Sequence, residues 1–278
     1  MTSEPSITEH FKSLHHSGTP LILPNPWDIG SARVLAALGY KALATTSSGF
    51  AQTLGRADGG VTRSEALQHA SQMVNATPLP VSADLENGFG DSPEMVAETV
   101  SLAVDCGLAG CSIEDYSAEE GSPGIYERNK AIERVAAAVE SAHAIDPSFV
   151  VTARAENYLH GIHDLDDTLE RLRAYEQVGA DVLYAPALSS LEDVATVTGG
   201  ISMPVNVLAW GDFTVESLSE VGVSRISLGG RWARATFACL IQAAQRTLDD
   251  GTFDISVDTS PLGNLNSLFN GYSTEDRV

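Results

Sequence analysis

The stretch that decides the fold spans residues 81–115 and reads VSADLENGFGDSPEMVAETVSLAVDCGLAGCSIED. It begins with a short apolar strand (81–83), continues with an amphipathic helix (93–106) and ends with a second apolar strand (110–113). Residues 92–94, Ser-Pro-Glu, supply an N-cap, a proline in the first helical turn and an acid near the helix N-terminus. Two continuously apolar strands joined by a helix predict a parallel βαβ unit that is buried on both faces.

The same strand and helix pattern occurs eight times along the chain. Strands are predicted at residues 21–23, 42–45, 81–83, 110–113, 149–153, 181–184, 204–207 and 225–228. Helices are predicted at residues 31–38, 64–76, 93–106, 131–144, 165–177, 191–198, 215–220 and 232–248. Thr62 and Glu65 form a capping-box pattern that marks the start of the second helix.

Eight such units predict fold class α/β and a (β/α)8 TIM barrel in residues 1–251. An open doubly wound sheet is the alternative, and it is disfavoured because no GxGxxG or P-loop sequence follows the first strand. Residues 252–278 are expected to form a C-terminal arm or tail. Its apolar side chains, which could pack on a partner subunit, are Leu262, Leu265, Leu268 and Phe269.

Composition limits the compartment and the partners. The net charge is −21 at pH 7, so nucleic-acid phosphates and anionic membranes would be repelled. No segment approaches the length of a membrane span, and Cys106, Cys111 and Cys239 show no metal-binding or disulfide spacing. We therefore expect a cytoplasmic protein with reduced thiols and a small-molecule substrate.

Acidic residues follow the predicted strands at the end where barrel enzymes carry their active sites. Asp84 and Glu86 follow strand 81–83, Glu114 follows strand 110–113, and Asp58 lies in the loop after strand 42–45. Four neighbouring carboxylates would repel each other unless a cation neutralised them.

Mg2+, with Mn2+ as a substitute, is the predicted cofactor, because hard divalent ions take oxygen ligands. Asp84 is the predicted direct ligand, and Asp58, Glu86 and Glu114 would hold the ion's water molecules. The alternative is that these acids pair only with arginines at the barrel rim, namely Arg56, Arg154 and Arg231.

Further polar residues at strand ends are candidates for binding the substrate. Arg154 follows strand 149–153, and its planar fork suits a substrate carboxylate, although a plain salt bridge to Glu156 or Glu114 is the alternative. Ser48 and Gly49 offer backbone N–H groups that could approach an oxyanion. Two more candidates stand at the ends of later strands, Tyr184 and Asn206.

Together these motifs resemble the isocitrate lyase/phosphoenolpyruvate mutase superfamily. The resemblance covers residues 21–250 and rests on Ser47-Ser48-Gly49, Asp58, Ala83-Asp84-Leu85-Glu86-Asn87-Gly88, Ser112-Ile113-Glu114-Asp115 and Thr152-Ala153-Arg154, in this order. It implies a barrel whose eighth helix, here 232–248, is exchanged between the subunits of a homodimer or homotetramer. It also implies that Ser48, Gly49 and Arg154 bind the substrate. With the strand-end candidates added, the predicted substrate-binding residues are Ser47, Ser48, Gly49, Arg154 and Asn206, and the predicted catalytic residues are Ser48, Arg154 and Tyr184.

The loop after the fourth strand narrows the resemblance to one branch. Members that cleave isocitrate or methylisocitrate carry a catalytic cysteine on this loop, whereas residues 115–123 read DYSAEEGSP here. The lysine and asparagine of phosphonate-handling members are also missing, and Thr46 stands where the mutases place a tryptophan. The chain is therefore most similar to the oxaloacetate-decarboxylase-like branch.

The predicted reaction is Mg2+-dependent cleavage of a carbon–carbon bond in a small 2-oxo-dicarboxylate through a metal-stabilised enolate, as in oxaloacetate decarboxylation. Tyr184, Tyr116 or water would return the proton. Phosphonopyruvate hydrolysis or 2-alkylmalate/methylisocitrate-type cleavage, with Ser117 or Glu119 in place of the absent base, is the alternative. A barrel that binds a metabolite without turning it over is the third hypothesis.

Overall fold

A computed structural model describes residues 4–118, 124–253, 255, 258–260 and 265–270. Within these residues eight parallel strands form one sheet in the order β1-β8-β7-β6-β5-β4-β3-β2. They are β1 (Leu21–Leu23), β2 (Leu43–Ala44), β3 (Val81–Asp84), β4 (Gly110–Glu114), β5 (Val150–Arg154), β6 (Val182–Tyr184), β7 (Val205–Leu208) and β8 (Arg225–Ser227). The predicted (β/α)8 TIM barrel is confirmed.

Helices alternate with the strands around the outside of the barrel. They are α1 (Ile7–Leu14), α2 (Ile29–Ala37), α3 (Ser47–Thr53), α4 (Arg63–Ala76), α5 (Pro93–Asp105), α6 (Arg128–Ile145), α7 (Leu165–Gln177), α8 (Leu191–Gly200), α9 (Val215–Glu220), α10 (Arg231–Asp250) and α11 (Leu265–Asn270). None of the described helices is long and apolar enough to cross a membrane. Helices α1, α3 and α11 add to the predicted set.

The predicted local start signals are present. Thr62 and Glu65 form the capping box of α4, and the backbone N–H of Thr62 donates to Glu65 Oε2 at 2.9 Å. Ser92 caps α5, with Pro93 in its first turn. These bonds satisfy N–H groups that no helical carbonyl can reach, so they determine where each helix begins.

Helix α1 covers the N-terminal end of the barrel. Its Phe11 is fully buried and packs in one cluster with Leu21, Ala109, Val150 and Val182, which lie at or near the starts of strands. A capping box between Ser6 and Glu9 starts this helix. Because α1 covers the opposite end, the accessible mouth of the barrel is at the C-terminal ends of the strands.

Asn25 ties the barrel together where it closes. The backbone N–H of Ala44 donates to Pro24 O at 3.0 Å, which links the ends of β1 and β2. The Asn25 amide donates to Thr45 O at 3.2 Å, and its Oδ1 accepts from the N–H groups of Leu228 and Gly229 at 2.9 and 2.8 Å. One buried side chain thus joins the ends of β1, β2 and β8.

The eighth barrel helix, α10, lies largely outside the barrel. It packs against α3, and Ala233 is its buried residue. Leu240, Ile241 and Leu248 are 61%, 65% and 81% exposed. In the predicted C-terminal arm, α11 lies against α2 of the same chain, while Leu262 falls outside the described residues.

We expect Asn25→Ala to lower the free energy of unfolding by about 2–4 kcal/mol, since it removes three hydrogen bonds and leaves buried backbone groups unsatisfied. Urea unfolding followed by circular dichroism measures the change. Asn75→Ala is the matched control, because exposed Asn75 bonds only within α4. Equal effects of the two substitutions would contradict the closing role of Asn25.

Candidate active site

A cavity of about 200 Å³ opens at the C-terminal mouth of the barrel. Seven of the predicted site residues line it, namely Ser47, Ser48, Asp58, Asp84, Arg154, Tyr184 and Asn206. They come from different strands and loops, and the parallel arrangement brings their ends to one edge. Glu86, Glu114 and Gly49 are not among the residues that line this cavity.

Asp84 is held on both sides of its carboxylate at the end of β3. Its Oδ2 accepts from the Ser47 backbone N–H at 3.2 Å and from the Ser47 hydroxyl at 2.9 Å. Its Oδ1 accepts from Arg154 Nη1 at 2.9 Å. The side chain remains 18% exposed, so it is oriented by its neighbours and still faces the cavity.

Arg154 joins the acids that end β3, β4 and β5. Beyond Asp84, its Nη1 lies 3.1 Å from Glu114 Oε2, and its Nη2 lies 2.8 Å from Glu156 Oε1. Burial by itself would lower the pKa of Arg154, but the charges of the surrounding acids, with Glu156 the strongest, raise it well above its ordinary value. The guanidinium is therefore permanently charged.

The rim-pairing alternative holds for only one of its three arginines. Arg56 pairs with Glu65 on the outside of the barrel, and Arg231 donates to Ala209 O. Only Arg154 among them contacts the predicted site acids. Arg154 also forms ion pairs with Glu114 and Glu156, which the sequence analysis gave as the alternative to binding a substrate carboxylate.

The site contains more acids than Arg154 alone can pair with. Burial raises the pKa of Asp58, and the charge of Asp84 raises it further. Burial, and then the charges of Asp84 and Asp58, raise the pKa of Glu86 to about 7. Burial raises the pKa of Glu114 well above its usual range despite the nearby Arg154. A raised pKa means that the acid resists losing its proton, and a cation bound nearby would favour the ionised form of each of these three acids.

Glu86 also adopts an unusual backbone conformation. Its φ is +50°, a left-handed value that a residue with a Cβ adopts only at a cost in free energy. Glu86 and Asp84 both line a second, smaller cavity next to the main one, so this turn places the two residues close together. A bound ion could therefore be approached from two sides.

The donor set fits a hard, hydrated divalent cation. All four predicted metal-site residues offer carboxylate oxygen, which Mg2+ prefers. In the described part of the chain, no three His, Cys, Asp or Glu side chains come close enough together to hold an ion among themselves.

The residues around Ser48 and Gly49 begin α3. Thr46 is the N-cap, and its Oγ1 accepts from the Gly49 N–H at 3.3 Å and lies 3.2 Å from Ser48 Oγ. The Gly49 N–H, expected to face an oxyanion, is thus directed at Thr46. A Cβ on Gly49 would lie 2.6 Å from Thr46 Cγ2 and 3.2 Å from Trp27 Cβ, so glycine permits close packing here.

Tyr184 lies closest to the site among the candidate proton donors. It lines the cavity, its ring lies 5.3 Å from the guanidinium carbon of Arg154, and burial raises its pKa to about 12. Tyr116 stacks on His160 with ring centroids 3.5 Å apart and does not line the cavity. Ser117 is buried at the base of the β4 loop, and Glu119 lies outside the described residues.

Sequence reasoning missed several residues that line the cavity, among them Asn25 and Arg225. Asn25 follows β1 and closes the barrel, and Arg225 begins β8 and reaches the cavity from below. Each carried a signal in the sequence. Asn25 stands between Pro24 and Pro26 at a strand end, and Arg225 is the charged residue of an otherwise uncharged predicted strand.

Comparison with known proteins identifies the family of this chain. A family described as phosphoenolpyruvate phosphomutase matches residues 11–248. A crystal structure from Burkholderia cenocepacia J2315, described as a lyase/mutase with no substrate named, is 46% identical, has a TM-score of 0.91 and covers 95% of this chain and 96% of its own.

Two curated relatives carry more specific names. Oxaloacetate decarboxylase of Marinomonas sp. (strain MWYL1) is 28% identical over 268 residues, covering 91% of this chain and 90% of its own. 2-Methylisocitrate lyase of Escherichia coli (strain K12) is 25% identical over 282 residues, covering 96% and 94%. The chain belongs to the phosphoenolpyruvate mutase/isocitrate lyase superfamily of enzymes.

Proposed function

We propose that this chain is a Mg2+-dependent carbon–carbon lyase that decarboxylates oxaloacetate or a closely related 2-oxo-dicarboxylate, with Mn2+ able to replace Mg2+. One observation carries the proposal. Asp84 faces a small cavity, is held between Ser47 and Arg154, and lies among more acids than Arg154 alone can pair with. Such a group suits a divalent ion and a chelating 2-oxo acid.

The relatives and the β4 loop favour decarboxylation within the superfamily. Activity on small carboxylates is common to the matched lyases and the oxaloacetate decarboxylase. Residues 115–123 contain no cysteine, and therefore lack the group that the resemblance assigns to isocitrate-type cleavage. Loss of carbon dioxide from a 2-oxo acid needs an electron sink, and it needs no protein base at the bond that breaks.

The protein's residues would take the following parts. A Mg2+ ion on Asp84 would supply a Lewis acid that withdraws electron density from the substrate's 2-oxo group. Ser48 would donate a hydroxyl hydrogen bond at the cavity wall, and Arg154 would orient the adjoining carboxylate. Ser47 would hold Asp84 in place through its own hydroxyl. Since its pKa is about 12, Tyr184 stays protonated near neutral pH and would donate, not accept, a proton.

We expect pyruvate to form from oxaloacetate with Mg2+ present, and EDTA to lower the rate by about 100-fold or more. Asp84→Asn should abolish Mn2+ binding measured by electron paramagnetic resonance, because it removes the carboxylate that faces the cavity. Asp166→Asn, an exposed acid in the first turn of α7, is the control and should bind Mn2+ normally. Full turnover in EDTA would overturn the proposal.

The same assay with a panel of substrates tests the alternatives. Phosphate release from phosphonopyruvate, or a 2-oxo acid plus succinate from methylisocitrate, would replace decarboxylation as the assigned reaction. Binding of pyruvate or oxalate without turnover of any 2-oxo acid would indicate a metabolite-binding barrel.

We expect Arg154→Lys to raise the KM for oxaloacetate by about 10- to 100-fold, because lysine retains the charge beside the acids but loses the bidentate fork. Steady-state kinetics measures the change, and thermal unfolding checks that the variant folds. Arg63→Lys, at the outer ion pair with Glu98, is the matched control. An unchanged KM would remove Arg154 from substrate binding.

We also propose that a second copy of the chain covers α10, in a homodimer or homotetramer that exchanges this helix. The support is that α10 leaves Leu240 and Ile241 mostly exposed, whereas α6, the next longest described helix, buries an apolar face. Phe237 and Ile241 also line a groove between α10 and α3.

We expect Ile241→Glu to shift the protein towards the monomer, because a carboxylate at a covered apolar position would lose its hydration. Size-exclusion chromatography with light scattering measures the mass. Ile145→Glu, at the exposed end of α6, is the matched control and should leave the mass unchanged. A monomeric parent protein would refute the exchange.

A further inference from the structure

Arg225 is a buried arginine without an acidic partner. It begins β8 and is 4% exposed. Its Nε donates to Asn206 Oδ1 at 2.9 Å, and its Nη1 lies 3.5 Å from His15 Nε2. Burial lowers the pKa of His15 to about 3, so this partner is neutral near pH 7. In the described chain no carboxylate forms an ion pair with Arg225, and its Nη2 amino group has no hydrogen-bond partner.

Two other buried arginines of the barrel are paired with acids, whereas a third, Arg134, forms no ion pair and has no hydrogen-bond partner at its Nε in the described chain. Arg171 pairs with Asp115 and Asp167, and Arg154 pairs with three acids. Arg134 donates to two backbone carbonyl oxygens and lies over the ring of Tyr126. Arg225 has only neutral contacts, and burial lowers its pKa to about 10. A buried charge that is left unpaired opposes folding, so this residue calls for an explanation other than stability.

Arg225 lies at the floor of the main cavity. In the sheet it is level with Leu21 and Asn206, two residues before Ser227 on the same inward face. Barrel interiors are usually filled by bulky branched side chains, whereas the wall here consists largely of small or polar residues. These include Ala44, Ser82, Ser112 and Ser227. The resulting space connects Asp84 at the mouth with Arg225 below.

We propose that Arg225, together with Asn206, forms an anion subsite at the floor of the cavity that takes a carboxylate group. The identity of that group rests on the proposed function. The 2-oxo end of a dicarboxylate would lie beside Asp84 and Arg154, and its far carboxylate would meet the free amino group of Arg225. A free inorganic anion could form the same hydrogen bond with Arg225, and it is the other ligand that the subsite could take. The subsite would make the cavity prefer dicarboxylates to monocarboxylates.

The test compares the parent protein with Arg225→Met and Arg225→Lys. Affinities for pyruvate and for oxaloacetate are measured with Mg2+ by stopped-flow tryptophan fluorescence, from the binding phase that precedes any turnover of oxaloacetate. We expect Arg225→Met to weaken oxaloacetate binding by about 10- to 100-fold and to leave pyruvate binding unchanged, because a charge-assisted hydrogen bond is lost. Arg225→Lys should retain most of the preference, because it keeps the charge.

Thermal unfolding without ligand separates binding from a structural role. Arg225→Met should unfold at the same or a higher temperature than the parent protein, since it removes a desolvated charge. Arg173→Met removes an arginine on the outer surface that bonds to Gly200 O, and it controls for the loss of net charge. The Arg173→Met variant should have the unfolding temperature of the parent protein and the same affinity for oxaloacetate.

Two further outcomes identify the anion or reject the subsite. If chloride or phosphate stabilises the parent protein more than Arg225→Met, while both acids bind the two proteins equally, the subsite takes a free anion. If the parent and Arg225→Met respond equally to carboxylates, chloride and phosphate, the subsite does not exist. Because the experiment measures binding, it does not depend on the reaction. If the parent protein does not decarboxylate oxaloacetate but Arg225→Met still loses the preference for dicarboxylates, the proposed function is rejected and the subsite is kept.

Discussion

The ion-pair cluster around Arg154 is the interaction on which the geometry of the mouth depends. Strands β3, β4 and β5 are neighbours and end at Asp84, Glu114 and Arg154. The two carboxylates lie 2.9 and 3.1 Å from Arg154 Nη1. Glu156 holds the guanidinium from the other side. Because three acids position one arginine, the Asp84 carboxylate has a defined orientation towards the cavity.

Charge is distributed unequally along the barrel axis. The mouth holds an excess of carboxylates, whereas the floor holds Arg225 with neutral neighbours. Helix α1 seals the end beneath this arginine through Phe11 and His15. A cavity with acids at one end and an unpaired guanidinium at the other suits a ligand that combines a chelating group with a separate negative charge.

Much of the fold was predictable because it follows from local rules. Apolar runs of strand length, helical periodicity and the caps at Thr62 and Ser92 depend on residues close together in the chain, and all are present in the structure. Helix α1 was not predicted, although Ser6 and Glu9 form a capping box. The Gly49 N–H has a different partner from the expected one, because Thr46 caps α3 and takes that hydrogen bond.

The sequence alone determined the order and number of the strands, and with them the set of polar residues at the C-terminal ends, including Asp84, Glu114 and Arg154. Only the tertiary structure decided which of these residues touch, because contacts across 28 to 70 residues depend on strand register and barrel closure. It likewise decided that Arg225 would be buried without an acid. The sequence shows that residue 225 is charged, but its partners and its solvent exposure are determined by the closing of the eight strands into a barrel.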